Sequence, residues 1–242
     1  KEKERLEGEL EAARAIQLRL LPETMPQLPG FQIAAASKPA KQVGGDYYDF
    51  LLLPNGQMGL AVGDVSGKGM PAALLMANLQ ASLRTLIEVD LPPSELIRRL
   101  NRVLHASSAP EMFATFFYGQ LDRASAELTY VNAGHNPPLI CGNGRLEPLS
   151  EGGLILGILP DGIYQQGFCT LHSRELLVLY SDGITEAMNS TGEEFGEQRL
   201  IRLLENHCQQ DADSVLRATL QSVEEFCSIP QDDVTLMIIK RL

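Results

Sequence analysis

The order in which strands and helices follow one another is the feature that most limits the fold of this chain. Short apolar segments typical of strands occur in runs, and segments with helical spacing occur in pairs. The predicted strands lie at residues 31–37, 47–53, 58–65, 113–121, 127–133, 137–141, 165–171, 175–181 and 234–240. The predicted helices cover residues 71–88, 94–105, 196–208 and 213–227. This order favours an α+β architecture of antiparallel sheets covered by helices over an alternating β-α-β fold.

The dipeptide Asn55-Gly56 separates two of the apolar runs and predicts a β-hairpin. Tight hairpin turns of the primed types need positive φ angles at their centre, and Asn-Gly is the pair that best accepts them. We therefore expect residues 47–53 and 58–65 to pair as neighbouring strands.

The first 21 residues are predicted to form a helix that ends by Pro22. Its apolar stripe contains Leu6, Leu10, Ala13, Gln17 and Leu20. This stripe fits a terminal helix packed on its own domain equally well as a coiled-coil linker that pairs two chains. Because a proline-rich connector follows, we expect residues 1–29 to form a linker and residues 30–242 to form the main domain. A chain that opens in mid-helix is also expected to be cut from a longer protein.

Charge and composition exclude several classes of protein. The 242 residues carry a formal net charge of −11, which argues against nucleic acid as a partner. The four cysteines (Cys141, Cys169, Cys208 and Cys227) form no CxxC pair, so neither a zinc cluster nor a disulfide framework is predicted. No apolar run approaches the roughly 18 to 20 residues that span a bilayer, and we expect a cytoplasmic protein.

Aspartates stand where several predicted strands begin or end. They are Asp46 and Asp49 in GGDYYDF, Asp64 in VGDVSGKG, Asp182 in LYSDGITEA, and Asp232 and Asp233 in PQDDVTLMII. A strand end fixes a carboxylate at the rim of a sheet while leaving it open to solvent. Carboxylate oxygens are the ligands that Mg²⁺ and Mn²⁺ prefer, and two such ions can activate water against a phosphate ester.

Each motif alone also fits an ordinary turn or helix cap, because Asp-Gly is a common turn signal. The segment VGDVSGKG favours the metal-site reading, since a simple turn would not need Gly63, Gly67 and Gly69 around one aspartate. Glycines allow close approach of the backbone, so the carbonyl group of Val65 could also face an ion.

Seven motifs taken in order resemble the metal-dependent phosphatases of the type 2C (PPM) superfamily, and within it the bacterial SpoIIE/RsbU-like branch. The motifs are LLPETMPQLPG, KPAKQVGGDYYDF, GDVSGKGMPAALLMA, MFATFFYGQLD, YVNAGHNPPL, LVLYSDGITEAMN and QDDVTL. The resemblance covers nearly the whole chain. It implies an αββα sandwich of two mainly antiparallel sheets and a protein serine/threonine phosphatase that uses two divalent cations, Mn²⁺ or Mg²⁺.

The resemblance also assigns roles to residues. It implies that Asp46 and the Val65 carbonyl bind the second metal, that Asp64 bridges both ions, and that Asp182 and Asp232 complete the first metal. A bridging hydroxide would then be the nucleophile. Asp49 and Asp233 would orient metal-bound waters or neighbouring groups. Many eukaryotic relatives place an arginine near the substrate phosphate, just upstream of the first acidic motif. That arginine has no counterpart here, because the corresponding stretch offers only Lys38 and Lys41.

Two other functions compete with hydrolysis. A diguanylate cyclase is suggested by GGDYYDF, but Tyr47 stands where that signature needs a glutamate, and the other aspartates would have no role. The alternative is a catalytically weak domain that only binds a phosphorylated partner. The full set of aspartates argues against it, because loss of catalysis would normally leave at least one metal-binding position replaced. His135 is interpreted as a structural residue of its loop, and Lys68 as a loop residue with a minor electrostatic role.

The branch resemblance finally implies partners. The substrate would be a small regulatory phosphoprotein of the anti-sigma-factor antagonist type, acting in stress or developmental signalling. An upstream sensor or receiver domain would connect through the N-terminal helix, which could also mediate a homodimer. Regulation is expected to act through the helix predicted at residues 71–88, because it begins a few residues after Asp64.

Overall fold

Two β-sheets lie face to face between two layers of helices in the computed structural model, which describes residues 2–109, 111–227 and 230–242. In chain order the elements are α1 (Glu2–Leu18), β1 (Phe31–Lys38), β2 (Tyr47–Leu52), β3 (Met58–Val65), α2 (Met70–Leu86), α3 (Pro93–Ser107), β4 (Ala114–Leu121), β5 (Glu127–Ala133), β6 (Leu139–Gly142), β7 (Arg145–Pro148), β8 (Gly152–Gly153), β9 (Gly167–Thr170), β10 (Leu176–Tyr180), α4 (Asp182–Thr185), α5 (Glu197–His207), α6 (Ala212–Phe226) and β11 (Val234–Arg241).

The first sheet has the strand order β1-β11-β10-β6-β7, and all of its neighbouring strands are antiparallel. The second sheet has the order β2-β3-β4-β5-β8, and β9 also pairs with β5. Its pairs are antiparallel except the short β5–β8 contact, which is parallel. The central strands are therefore contributed by distant parts of the chain.

Three apolar clusters hold the layers together. One lies between the second sheet and the pair α2 and α3, and includes Leu79 and Leu100. Another lies between the first sheet and helices α5 and α6, and includes Leu200 and Val215. The third contains Leu60 from the second sheet and Met237 from the first, so it fills the space between the sheets. The predicted α+β class and the αββα layering are both confirmed.

The structure adds elements that the apolar pattern did not predict, namely β7, β8 and the single-turn helix α4. The strands β7 and β8 have only four and two residues, too few for a clear alternation of buried and exposed side chains. None of the helices in the described part of the chain is long and apolar enough to cross a membrane.

The hairpin between β2 and β3 is present, but its turn differs from the predicted primed type. Gly56 has a positive φ of 82°, whereas Asn55 contributes through its side chain, which accepts a hydrogen bond from the Gln57 amide at 3.0 Å. Leu53 N–H donates to the carbonyl oxygen of Gln57 at 3.0 Å and closes the longer loop. A single glycine therefore supplies the left-handed backbone that this turn needs.

The N-terminal helix is bonded to the main domain near its C-terminal end. Gln17 is buried, and its side-chain amide donates to the Gly44 carbonyl at 2.7 Å and accepts from the Gly44 amide at 3.0 Å. Leu10 and Ala13 are partly buried, Ile16 is exposed, and the side chain of Leu6 lies outside the described part of the structure. Gln17, which interrupts the apolar stripe, is thus a contact to the domain, while pairing of two chains through α1 remains a prediction.

Candidate active site

The strand register brings five of the predicted aspartates to one rim of the sandwich. In the second sheet, Tyr47 pairs with Gly63, which places Asp46 near Asp64. In the first sheet, Tyr180 pairs with Leu236, and the Ser181 amide donates to the Thr235 carbonyl at 3.0 Å. Asp182, Asp232 and Asp233 therefore lie together where β10 ends and β11 begins. We call these five residues (Asp46, Asp64, Asp182, Asp232 and Asp233) the carboxylate cluster.

Burial and mutual repulsion raise the pKa of several members of the cluster. The pKa of Asp46 lies well above its ordinary value, first because the group is buried and second because Asp64 is negatively charged. Burial, followed by the charges of Asp182 and Asp232, raises the pKa of Asp64 to about 7. The pKa of Asp182 is raised by burial and then by Asp232. The protein thus holds these carboxylates close together at an electrostatic cost, which a cation would relieve.

Asp233 joins the two halves of the cluster. Its carboxylate accepts hydrogen bonds from the Ala40 amide at 2.8 Å and the Gly45 amide at 2.7 Å, with a longer contact from the Asp46 amide at 3.4 Å. A β-carbon on Gly44 would lie 2.1 Å from this carboxylate, so only glycine fits there. Asp233 therefore fixes the loop that carries Asp46 against the start of β11, and its role toward metal-bound water stays a prediction.

The oxygen atoms around Gly45 fit the predicted cation. A β-carbon at this position would lie 2.7 Å from the Val65 carbonyl oxygen and 3.1 Å from Asp64 Oδ1, so glycine leaves open a space lined by oxygen. Asp46 Oδ2 is buried and has no hydrogen-bond partner. An orphaned buried carboxylate oxygen is costly unless a cation compensates it, and hard divalent ions prefer such donors.

The oxygen donors at this rim are therefore of the kind that Mn²⁺ and Mg²⁺ prefer. Within residues 2–109, 111–227 and 230–242, no three Asp, Glu, His or Cys side chains already stand in a metal-ligating arrangement.

Lys68 is a member of the site that sequence reasoning undervalued. Its ammonium group donates to Asp232 Oδ2 at 2.6 Å and to the Gln231 carbonyl at 2.8 Å. The hydrogen bond to Asp232 is the main reason that the pKa of Lys68 is raised. Gly67 and Gly69 flank it with positive φ angles of 88° and 80°. The sequence feature that could have indicated this role is a lysine between two glycines, four residues after Asp64.

Comparison with known proteins identifies the family of this chain. The family model described as Stage II sporulation protein E (SpoIIE) matches residues 54–242. The protein is a member of the SpoIIE family. This SpoIIE-family chain is 34% identical over 240 residues to the phosphoserine phosphatase RsbU of Bacillus subtilis (strain 168), an alignment that covers 98% of this chain and 71% of RsbU.

Solved structures share the fold of this SpoIIE-family chain. The SiaA-PP2C domain of Pseudomonas aeruginosa has a TM-score of 0.88 at 20% identity, covering 99% of this chain and 98% of that one. The RsbU and RsbW domains of a Mycobacterium tuberculosis protein give a TM-score of 0.79 at 27% identity, covering 92% of this chain and 63% of that one. The resemblance to the SpoIIE/RsbU-like branch of the PPM phosphatases is thereby confirmed.

Asp49 lies apart from the carboxylate cluster of this SpoIIE-family domain. It is fully buried on β2 and accepts hydrogen bonds from Arg84 of α2 at 2.9 and 3.0 Å and from the Tyr47 hydroxyl at 2.7 Å. Burial raises the pKa of Asp49, and the hydrogen bonds and charge of Tyr47 and Arg84 partly offset this rise. Asp49 therefore ties β2 to the C-terminal part of α2, and its predicted orienting role at the site stays a prediction.

His135 occupies a structural position, and its imidazole interacts with the backbone of Tyr180 as well as with the Thr115 hydroxyl. Its Nδ1 atom lies 2.9 Å from the Thr115 hydroxyl, and its backbone amide donates to Asn132 Oδ1 at 2.8 Å. Burial lowers the pKa of His135 to about 4, so the ring is neutral near pH 7. A buried neutral ring is poorly placed to protonate a departing alkoxide.

Proposed function

We propose that this SpoIIE-family domain hydrolyses phosphoserine or phosphothreonine in a regulatory protein, with a pair of divalent cations held by the carboxylate cluster. The observation that carries the proposal is the buried, unpartnered oxygen of Asp46, together with the Asp64 carboxylate and the Val65 carbonyl that face the neighbouring Gly45. The similarity to the phosphoserine phosphatase RsbU supports the choice of substrate group.

The proposed ligands follow from the arrangement at the rim. Asp46 and the Val65 carbonyl would hold one ion, Asp182 and Asp232 would hold the other, and Asp64 would contact both. Mn²⁺ and Mg²⁺ both suit a set of oxygen donors. Bound there, the ions would supply an activated water and neutralise charge on the phosphoryl group.

The residues of the chain itself prepare the site. Asp233 positions the Asp46 loop through the Gly45 amide. Lys68 is bonded to Asp232 Oδ2, and when that carboxylate holds an ion the ammonium group would be free to turn toward the phosphate of the substrate. Lys38, by contrast, is paired with Glu224 on α6. We therefore assign contact with the phosphate to Lys68.

The alternative of a domain that only binds phosphoproteins gains no support from the geometry. Loss of catalysis would be expected to leave one of Asp46, Asp64, Asp182 or Asp232 replaced, and all four are present.

The biological setting is proposed from the family. RsbU-like and RsbW-like neighbours support a phosphorylated regulatory partner, and we propose a protein of the anti-sigma-factor antagonist type in the cytoplasm. An upstream sensor or receiver domain would act through α1, whose Gln17 contacts the loop that carries Asp46. A second regulatory route would run through α2, which Arg84 joins to Asp49 of β2.

The test compares the wild type with Asp64→Asn and with the control Asp122→Asn. Asp122 is partly exposed, lies in the turn after β4, and accepts hydrogen bonds from the amides of Ala124 and Ser125. With millimolar Mn²⁺, the wild type and the control should release phosphate from a phosphoserine peptide and from an aryl phosphate, whereas Asp64→Asn should lose at least a hundredfold in rate, the scale expected when charge stabilisation is removed. Equal activity of Asp64→Asn would overturn the proposal.

A further inference from the structure

A cavity of about 170 Å³ opens beside the carboxylate cluster. Its floor is apolar and is formed by Leu220 and Val223 of α6, Ala187 and Met188 after α4, and Val234 at the start of β11. Several of these residues also belong to the core beneath the first sheet. Because the floor is part of a packed core, the shape of this side cavity is held by the fold.

The side cavity is continuous with the carboxylate cluster. Lys68, Gly183 and Asp232 line it, and Gly183 directly follows Asp182. Lys68 marks the boundary, because its ammonium group bonds to Asp232 while the residue also faces the cavity. A substrate whose phosphate reaches the cluster therefore has neighbouring atoms within reach of this opening.

The rim of the side cavity is polar whereas the floor is not. Lys38 and Glu224 form an ion pair at the rim, and both side chains are about half exposed. Glu186 lines another part of the rim. An apolar interior with a few polar groups at its edge is the usual construction of a site that receives an apolar group.

We propose that the side cavity receives one apolar side chain next to the phosphoserine of the substrate protein. The inference rests on the proposed function and names a substrate feature that it leaves open. Consecutive Cα atoms are about 3.8 Å apart, so a residue one or two positions from the phosphoserine reaches the opening. A cavity of about 150 Å³ can accommodate a benzene-sized guest, so the volume suits one leucine-sized or phenyl side chain. The net charge of −11 disfavours acidic flanking residues.

The experiment uses two phosphoserine peptides that differ only beside the phosphoserine, with leucine or glutamine at the two positions on each side. Rates with Mn²⁺ are measured for both peptides and for an aryl phosphate that has no flanking residues. Fluorescence anisotropy measures the affinity of the labelled peptides independently of turnover. We expect the leucine peptide to be favoured about tenfold in kcat/KM and in Kd, the lower end of what burying one leucine side chain gives.

Variants locate the source of the preference. Leu220→Gln and Met188→Gln make the floor polar from two different segments and should reduce the preference to about twofold or less, with hydrolysis of the glutamine peptide unchanged. The matched control is Ile201→Gln on α5, since Ile201 is a partly buried residue of the same core but does not line the cavity. It should keep the tenfold preference.

The outcomes separate the two proposals. A wild type that hydrolyses the aryl phosphate but treats both peptides alike overturns the side cavity inference and leaves the proposed function intact. Loss of preference in Ile201→Gln as well as in Leu220→Gln and Met188→Gln overturns it too. A wild type that hydrolyses nothing contradicts the proposed function, and the anisotropy ratio of the two peptides then decides the inference alone.

Discussion

Replacing Asp64 by asparagine should stabilise the metal-free protein while weakening its response to metal. Burial and the charges of Asp182 and Asp232 raise the pKa of Asp64 from 3.8 to about 7. At ~1.4 kcal/mol for each tenfold change in the ionisation constant, this rise corresponds to an upper limit of ~4 kcal/mol. Asp64 retains partial contact with solvent, so we expect a gain of about 2 kcal/mol at pH 8.

The sign of the pH dependence follows from proton uptake. Because the folded pKa of Asp64 lies above the unfolded value, the folded protein binds more protons between about pH 4 and pH 7. The free energy of unfolding of the wild type therefore falls as the pH rises through that window. In Asp64→Asn this fall is absent, because asparagine does not ionise. The stability difference should be largest at pH 8, less than half as large at about pH 5, and nearly absent at about pH 3, below the unfolded pKa.

Thermal unfolding in a chelator and in excess Mn²⁺ measures both effects. In chelator at pH 8, Asp64→Asn should unfold about 6 °C above the wild type, since ~1 kcal/mol shifts a domain of this size by ~2–4 °C. Mn²⁺ at about 100 times its Kd should add ~2.7 kcal/mol to the wild type and little to the variant. Equal melting temperatures in chelator at pH 8, or a difference that does not shrink between pH 8 and pH 5, would refute this reasoning.

Three further substitutions test the supports of the site. Arg84→Met should destabilise the domain by ~2 kcal/mol in chemical denaturation, because Asp49 is fully buried and loses two hydrogen bonds from a charged partner. Gly45→Ala should abolish stabilisation by Mn²⁺ in thermal unfolding, because its β-carbon would enter the space lined by oxygen. Gln17→Ala should weaken the affinity for Mn²⁺ several-fold in a titration followed by melting temperature, because it frees the Gly44 peptide two residues before Asp46.

Each of these substitutions has a control in the same chain. Arg102→Met removes an exposed ion pair with Asp161 and should change stability by less than ~1 kcal/mol. Gly8→Ala lies on α1 with nothing within 4 Å of the added β-carbon, so it should leave the response to Mn²⁺ intact. An effect of Gly8→Ala on Mn²⁺ affinity as large as that of Gln17→Ala would show that the Gly44 contact is not the cause.

Most strands and helices could be predicted because their signals are local. The apolar run of β11 and the helical spacing of α6 each lie within about 15 residues, and both elements occur where the pattern indicates. The aspartates of the carboxylate cluster were visible for the same reason, since each stands next to an apolar strand. Their convergence depends on strand order, which local pattern does not encode.

The contacts that complete the site were not visible in the sequence, because they join distant segments. Lys68 and Asp232 are separated by 164 positions, and Gln17 meets Gly44 across 27. The face of β2 on which the Asp49 side chain lies could have been inferred. Side chains alternate along a strand, so Asp49 shares a face with Tyr47 and Leu51. Those two residues belong to the cluster beneath α2 and α3, so Asp49 points toward the helices.

The division of the carboxylate cluster between two sheets makes ion binding a property of the whole sandwich. Asp46 and Asp64 move with one sheet, whereas Asp182 and Asp232 move with the other, and side chains such as Leu60 and Met237 set the spacing between them. A slight slide of one sheet over the other would therefore pull the rim apart even if every carboxylate kept its own rotamer. Sensitivity to mutation should extend into the middle layer, far from any atom that touches the substrate.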